Sequence, residues 1–311
     1  MMNLKSPANA RVVTVAAQTC RLELATGERV DAVVRGKLLG KDKSGVVVGD
    51  QVAATKQASQ WTVEEVLERK NEFVRQGLRK ERQVMFANVD RVLIIASLTQ
   101  PETKAATIDR FLVTAMQGGI PADLVLTKRD LDEENTRENE LCELYDSFNM
   151  PVYPVSNETG EGVKEVAELM TEGITALVGN SGVGKSSLLN QLIPGLELRV
   201  REVSAWSGKG VHTTTASLLL PYNEQAWVID TPGMKSFVPY GITRDNLGDL
   251  FPELVRLREG CRFRDCKHIK EPGCAVLAAL ESGEIAESRL RSYYRMLTDV
   301  PKPYSEGSRP R

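Results

Sequence analysis

The sequence predicts an α/β protein in three parts. These are a small N-terminal β-barrel, a central parallel-sheet domain with a phosphate-binding loop, and a C-terminal helical part built around a metal. Three observations carry this expectation. Short β-branched runs crowd the first 60 residues. From Asp90 onward, continuous apolar runs alternate with helical stretches. Three cysteines and a histidine then fall within the 14 residues from Cys261 to Cys274. We place the parts at residues 1–75, 76–240 and 241–311.

The runs 11–15, 20–24, 30–34 and 45–48 read as strands, separated by turn residues such as Thr26-Gly27 and Lys43-Ser44-Gly45. Several short strands at close spacing indicate a small all-β barrel. No aromatic residue precedes Trp61, which argues against a base-stacking surface and for contact by charge or shape. The run 92–96 is apolar throughout, as expected of a strand buried on both faces. A helix over 107–117, a strand at 123–126, an acidic helix over 133–148 and a strand at 152–155 follow. A helix over 163–170 then leads into a strand at 174–178. This alternation is that of a parallel sheet. Past Tyr240 strand signals fade, a helix is expected over 284–297, and the Pro- and Ser-bearing tail 301–311 reads as disordered.

The bulk numbers exclude several classes. No run approaches 18 apolar residues, so no membrane span is expected, and residues 1–15 do not read as a signal peptide. The five cysteines form no disulfide framework, a usage that fits the cytoplasm. The net charge of −2 is unevenly spread. Residues 1–89 hold 15 Lys and Arg against 10 Asp and Glu, residues 90–240 hold 12 against 21, and residues 241–311 hold 13 against 11. A polyanionic partner would therefore be gripped by the ends of the chain, unless these charges are merely solvated surface.

The strongest motif is Gly179-Asn180-Ser181-Gly182-Val183-Gly184-Lys185-Ser186, which matches G-x-x-x-x-G-K-[ST] between a buried strand and a helix that opens at Ser187. The glycines let backbone N–H groups curl around a phosphate. Lys185 reaches the β/γ oxygens, and the Ser186 hydroxyl suits Mg²⁺ at the positive end of the helix. Asp230-Thr231-Pro232-Gly233 follows the apolar run 226–229. A carboxylate there suits a Mg²⁺-bound water, and Gly233 can offer its N–H to a γ-phosphate. Between the two motifs lies the polar loop 204–215, where a threonine can ligate Mg²⁺, Thr214 being preferred over Thr213.

Thr127-Lys128-Arg129-Asp130, at the end of the strand 123–126, resembles the N/T-K-x-D element by which GTPases read guanine. A carboxylate accepts two hydrogen bonds from guanine N1–H and N2–H₂ that adenine cannot supply, while the Lys128 stem packs on the base. Ser156-Asn157, at the next strand end, resembles the supporting base loop, with Asn157 where alanine is usual. The base motif thus precedes the phosphate loop, a circular permutation of the common order. A parallel sheet tolerates this because its strands are placed by packing.

Cys261, Cys266, His268 and Cys274 supply three thiolates and an imidazole, a tetrahedral set suited to one structural Zn²⁺. Their charged surroundings offer no apolar core that would bury them as inert thiols.

The permuted motif order, the Gly210-Val211-His212-Thr213-Thr214-Thr215 stretch, the Cys₃His spacing and the phrase Ala87-Asn88-Val89-Asp90 together resemble the bacterial small ribosomal subunit biogenesis GTPase family, over nearly the whole chain. The resemblance implies an N-terminal OB-fold, a circularly permuted GTPase domain and a C-terminal zinc domain. It implies that they bind the 30S subunit and its 16S ribosomal RNA late in maturation, with weak hydrolysis that the ribosome stimulates. Met234 follows Gly233 where many GTPases carry a water-orienting glutamine, and this family too has a hydrophobic residue there. Lys185, Thr214 and His212 are the expected catalytic residues. His212, the histidine left once His268 is given to the metal, reads equally as a solvated loop residue. The reading is a cytoplasmic, monomeric GTPase. The alternative is an RNA-binding module with a regulatory guanine-nucleotide site that does not turn over.

Overall fold

The structure is a computed structural model that describes residues 8–38, 45–193, 195–196, 217–234 and 237–300. Five strands form the N-terminal barrel: β1 (Ala10–Ala16), β2 (Thr19–Leu24), β3 (Arg29–Val34), β4 (Gln51–Gln57) and β5 (Gln60–Val66). They pair in the order β1-β2-β3-β5-β4, and β4 returns to β1 through Ala10↔Val52 and Arg11↔Gln51. Among the described residues, only the β3–β5 pairing is parallel within the barrel. This closed five-stranded arrangement is the OB-type barrel, and Val12, Leu22, Val52 and Val63 fill its interior.

The run 45–48, expected as a strand, forms bends and a turn instead. The Asp50 carboxylate accepts the Val47 N–H at 2.8 Å, and Gly49 turns the chain at φ +91°. A Cβ on Gly49 would lie 2.1 Å from the Ala87 carbonyl oxygen, so only glycine fits. Val46, Val47 and Val48 are all buried, each in a different apolar cluster. Their β-branched signal reports burial without pairing.

A hairpin, β6 (Glu72–Gln76) and β7 (Arg82–Ala87), stands between the barrel and the central sheet. Phe73 stacks on Phe86 at 4.9 Å, and both join the core of the central domain. The central strands are β8 (Arg91–Ser97), β9 (Ala122–Thr127), β10 (Val152–Pro154), β11 (Gly173–Val178), β12 (Leu218–Pro221) and β13 (Ala226–Asp230). They lie in the order β10-β9-β8-β11-β13-β12, all parallel except β12. Helices α1 (Ala105–Gln117), α2 (Thr136–Asp146), α3 (Val163–Glu168) and α4 (Lys185–Leu192) connect them. The backbone pairing Thr14↔Leu218 joins the barrel to β12.

The C-terminal part holds α5 (Pro252–Leu257), α6 (Ala275–Glu281) and α7 (Glu287–Asp299). Its core of Leu247, Phe251, Leu254, Val276, Leu290, Tyr293 and Met296 includes Val113 of α1. Arg289 is 1% exposed at this junction. Its guanidinium donates to Asp109 of α1 and to both oxygens of Glu253 of α5, at 2.6 and 3.2 Å for the latter. Among the described residues, no helix is long and apolar enough to cross a membrane.

Candidate nucleotide site and metal centre

The sheet register brings the chemistry to one edge. Ser97 pairs with Thr127, Leu126 with Pro154 and Leu177 with Asp230, so the carboxyl ends of five parallel strands finish side by side. Ligands of open parallel sheets bind at that edge.

β11 runs into Gly179, whose would-be Cβ lies 2.3 Å from the Ile95 carbonyl oxygen. Gly182 and Gly184 have φ of +82° and +90°, which curl the loop before α4. Val183 is anchored in the core, whereas Ser181, Gly182, Ser186 and Ser187 are exposed around the loop. Lys185 is buried, and its ammonium donates to the carbonyls of Gly179 and Asn180 at 2.9 and 2.8 Å. Burial lowers the Lys185 pKa to about 8, against the pull of Asp230. Burial raises Asp230 to about 6, against the pull of Lys185. Near pH 7 both therefore carry their charges, and each supports the other.

Asp230-Thr231-Pro232-Gly233 closes against the same loop. Thr231 Oγ1 donates to the Leu177 carbonyl at 2.6 Å, and Met234 N–H donates to the Gly179 carbonyl at 3.2 Å. A Cβ on Gly233 would stand 2.7 Å from Ser181 Cα. The Met234 side chain is buried in the central core. The loop 204–215, with His212 and Thr214, lies outside the described residues.

Thr127 Oγ1 donates to the Val183 carbonyl at 2.6 Å, tying the end of β9 to the phosphate loop. Lys128 sits in the left-handed region at φ +62°, and its ammonium donates to the Gln100 carbonyl. Arg129 pairs with Glu138 at 3.0 Å and Glu161 at 2.7 Å, which fixes the loop and leaves Arg129 a scaffolding task. Asp130 is exposed, and one of its oxygens accepts the Ser156 hydroxyl at 2.6 Å. Ser156 Oγ in turn accepts the N–H groups of Glu158 and Thr159 at 3.2 and 3.1 Å. Asn157 Nδ2 donates to the Gly184 carbonyl at 3.2 Å. The loops that end β9 and β10 and the glycine-rich loop before α4 thus form one bonded unit. Gln191 of α4, absent from the sequence reading, completes it by donating to the Asn157 carbonyl. Nothing in its spacing marks it, since the contact spans 34 residues.

At the other end of the chain, the ligand atoms of Cys261, Cys266, His268 and Cys274 lie within 4.8 Å of one another. Cys261 Sγ is 3.6 Å from His268 Nδ1 and 3.9 Å from Cys274 Sγ, and His268 Nδ1 is 3.4 Å from Cys274 Sγ. Burial lowers the His268 pKa, which favours the neutral imidazole that binds metals. Burial and the adjacent thiols of Cys274 and Cys261 push Cys266 up to about 12. Such crowding of thiols is relieved by a cation at their centre, so the set fits a metal ion. Glu271 braces the loop between ligands by accepting N–H groups of Lys267, Ile269 and Lys270 at 3.0, 2.7 and 2.9 Å.

Comparison with known proteins agrees with this geometry. The RsgA GTPase family model matches residues 66–238. A small ribosomal subunit biogenesis GTPase RsgA from Chlorobaculum parvum is 40% identical over 266 residues, 82% of this chain and 85% of that one. One from Thermotoga maritima is 38% identical over 278 residues, 88% of this chain and 90% of that one. The crystal structure of YjeQ from Thermotoga maritima superposes with a TM-score of 0.74 at 34% identity, over 94% of this chain and 98% of that one. YloQ, described as a circularly permuted GTPase, gives 0.70 at 27% identity over 96% and 97%. With the permuted motif order on a single sheet edge and relatives matched over most of their length, the chain belongs to the RsgA GTPase family.

Proposed function

We propose that this GTPase binds the 30S ribosomal subunit, contacts its 16S RNA, and acts late in the subunit's maturation by hydrolysing GTP to GDP and phosphate with ribosomal stimulation. The observation that carries the nucleotide part is the bonded unit of Asp130, Ser156, Thr127 and the phosphate loop at the sheet edge. The ribosomal part rests on the names of relatives, small ribosomal subunit biogenesis GTPases, at 38–40% identity.

In this reading Thr127, Lys128, Arg129, Asp130, Ser156 and Asn157 form the base site, Arg129 as scaffold. Residues 179–187 cradle the phosphates, and Lys185 trades its two loop carbonyls for phosphate oxygens. Ser186 and Asp230 would hold the Mg²⁺ that accompanies GTP and neutralises charge developing on the phosphates, and Gly233 offers its N–H to the γ-phosphate. Thr214 is the switch-loop ligand. With Met234 turned into the core, the nucleophilic water needs another partner, and His212 is assigned to it. The metal centre is a single structural Zn²⁺. Tetrahedral zinc with sulfur at about 2.3 Å and nitrogen at about 2.0–2.1 Å has edges of roughly 3.5–3.8 Å; the three spacings among Cys261, His268 and Cys274 are 3.4–3.9 Å, and all four ligand atoms, Cys266 included, lie within 4.8 Å of one another. The parts 1–75, 76–240 and 241–311 act as RNA-facing barrel, GTPase and zinc domain of a cytoplasmic monomer. Phosphate release with and without 30S subunits tests the proposal: stimulation by subunits is expected, and a rate unmoved by saturating 30S would overturn it.

A further inference from the structure

Arg75 of β6 is a half-buried cation with no counter-charge. It pairs across the hairpin with Gln83 of β7, and a backbone bridge to Pro239 holds the other edge of its strand. Its Nε donates to Gln83 Oε1 at 3.0 Å. The N–H groups of Nη1 and Nη2 have no acceptor among the described residues, and no carboxylate lies beside them. Burial alone acts on the Arg75 pKa and lowers it. The same hairpin treats its other arginine differently, since Arg82 bonds to Glu72. Cations withdrawn from water are normally paired, so the fork of Arg75 is a donor set without its anion.

Arg75 lines a cavity of about 310 Å³ where the barrel and the hairpin meet the strands next to the nucleotide site. Most of the wall is apolar, formed by valines and Met85. The polar residues on it bring donors. Gln83 spends its oxygen on Arg75, which leaves its amide N–H groups unspent, and the Ser217 hydroxyl has no partner among the described residues. No aspartate or glutamate is among the described lining residues. Pro232 sets the cavity beside Gly233, the residue that abuts Ser181 of the phosphate loop. At about 30 Å³ per water, the space admits a small hydrated oxyanion.

We propose that Arg75, with Gln83 and Ser217, forms a binding site for one phosphate group, separate from the nucleotide site. The guanidinium fork matches two oxygens of a tetrahedral phosphate, and the amide and hydroxyl serve the others. Two sources carry that chemistry: the free ion that hydrolysis releases beside Gly233, and the backbone of a nucleic acid lying against the barrel and hairpin.

The test uses the full chain loaded with Mg²⁺ and the β,γ-imido analogue of GTP, which fills the nucleotide site through the γ-position. Binding of radiolabelled inorganic phosphate is then read by equilibrium dialysis. One phosphate per chain should bind. Arg75→Met keeps the stem and removes the fork, and it should weaken binding by about tenfold or more, the scale of a charge-assisted hydrogen bond. Gln83→Met leaves every ion pair in place and should weaken binding severalfold, which keeps the test available if Arg75→Met fails to fold. A short RNA duplex that displaces the phosphate assigns the site to a nucleic-acid backbone. A duplex that leaves it bound assigns the site to the free ion. Absence of saturable phosphate binding to the loaded wild type would overturn the proposal, as would equal binding by wild type and both variants. Failure of the nucleotide reading shows separately, as protein that does not take up the analogue.

Discussion

Replacing Arg289 by methionine should loosen the C-terminal part. The guanidinium is 1% exposed and sits between Asp109 of α1, fully buried, and Glu253 of α5, 6% exposed. Burial works against its charge, yet the two carboxylates hold its pKa above the usual arginine value. Phe148 and Phe251 lie 4.3 and 4.8 Å from its centre and close the site to water. Arg289→Met leaves two buried carboxylates with no cation, a loss of about 3–5 kcal/mol. At about 2–4 °C per kcal/mol for a domain of 150–250 residues, the melting point should drop by roughly 10 °C.

The assay is urea unfolding followed by hydrogen exchange, with protection lost first in α1, α5 and α7. Replacing the whole group, Asp109→Leu with Glu253→Met and Arg289→Met, should recover most of the loss, because apolar substitutes of similar volume match buried ion pairs. A single variant within 1 kcal/mol of wild type, or a triple variant weaker than the single, would refute the reasoning.

Other outcomes are open to measurement. Asp130→Asn should cut GTP preference by two or more orders of magnitude, about 3 kcal/mol, because the paired acceptor is lost; titration with a fluorescent nucleotide reads it. Protein purified without chelator should carry one zinc per chain by metal analysis, and Cys266→Ala should unfold the C-terminal part while nucleotide binding persists. Mg²⁺-dependent nucleotide affinity should plateau between pH 6 and 8, set by Asp230 at about 6 and Lys185 at about 8. Below the plateau a proton occupies Asp230 and displaces the metal; above it Lys185 loses the charge that holds phosphate. Stability runs the other way on the acid side. Asp230 is a stronger base folded than unfolded, so its ionised form costs stability above pH 6, and that cost fades as pH falls through 6. Calorimetry of the nucleotide-free protein against titration of the loaded one separates the two slopes.

The readable parts of the sequence were those whose signal is local. The run 92–96 and the phosphate loop with its flanks each carry their meaning within about ten residues, and β8, β11 and α4 appear where that meaning puts them. β4 and β5 escaped notice because Gln51-Val52-Ala53-Ala54-Thr55-Lys56-Gln57 alternates weakly and is held by ladder pairing to β5 and β1. The hairpin of β6 and β7 escaped for a similar reason, its apolar residues Phe73 and Phe86 being paired only across the turn. Arg289 looks like one more charge on a polar helix. Its burial depends on Glu253 and Asp109, 36 and 180 residues away.

The site divides along the same line. Residue types at strand ends were legible, because each motif is contiguous; the bonds between motifs were not. Asp130 meets Ser156 across 26 residues, Thr127 meets Val183 across 56, and Asn157 meets Gly184 across 27. These bonds also explain why motif order along the chain is free to change. Each motif is placed by the strand that carries it, and β8, β9, β11 and β13 are ranked by ladder pairing and packing rather than by succession. What the permutation must preserve is the common edge on which the strands end and the side chains that cross between neighbours there. Thr127, Ser156 and Asn157 make those crossings, so strand-end loops that come early in the chain still grip the glycine-rich loop that follows them.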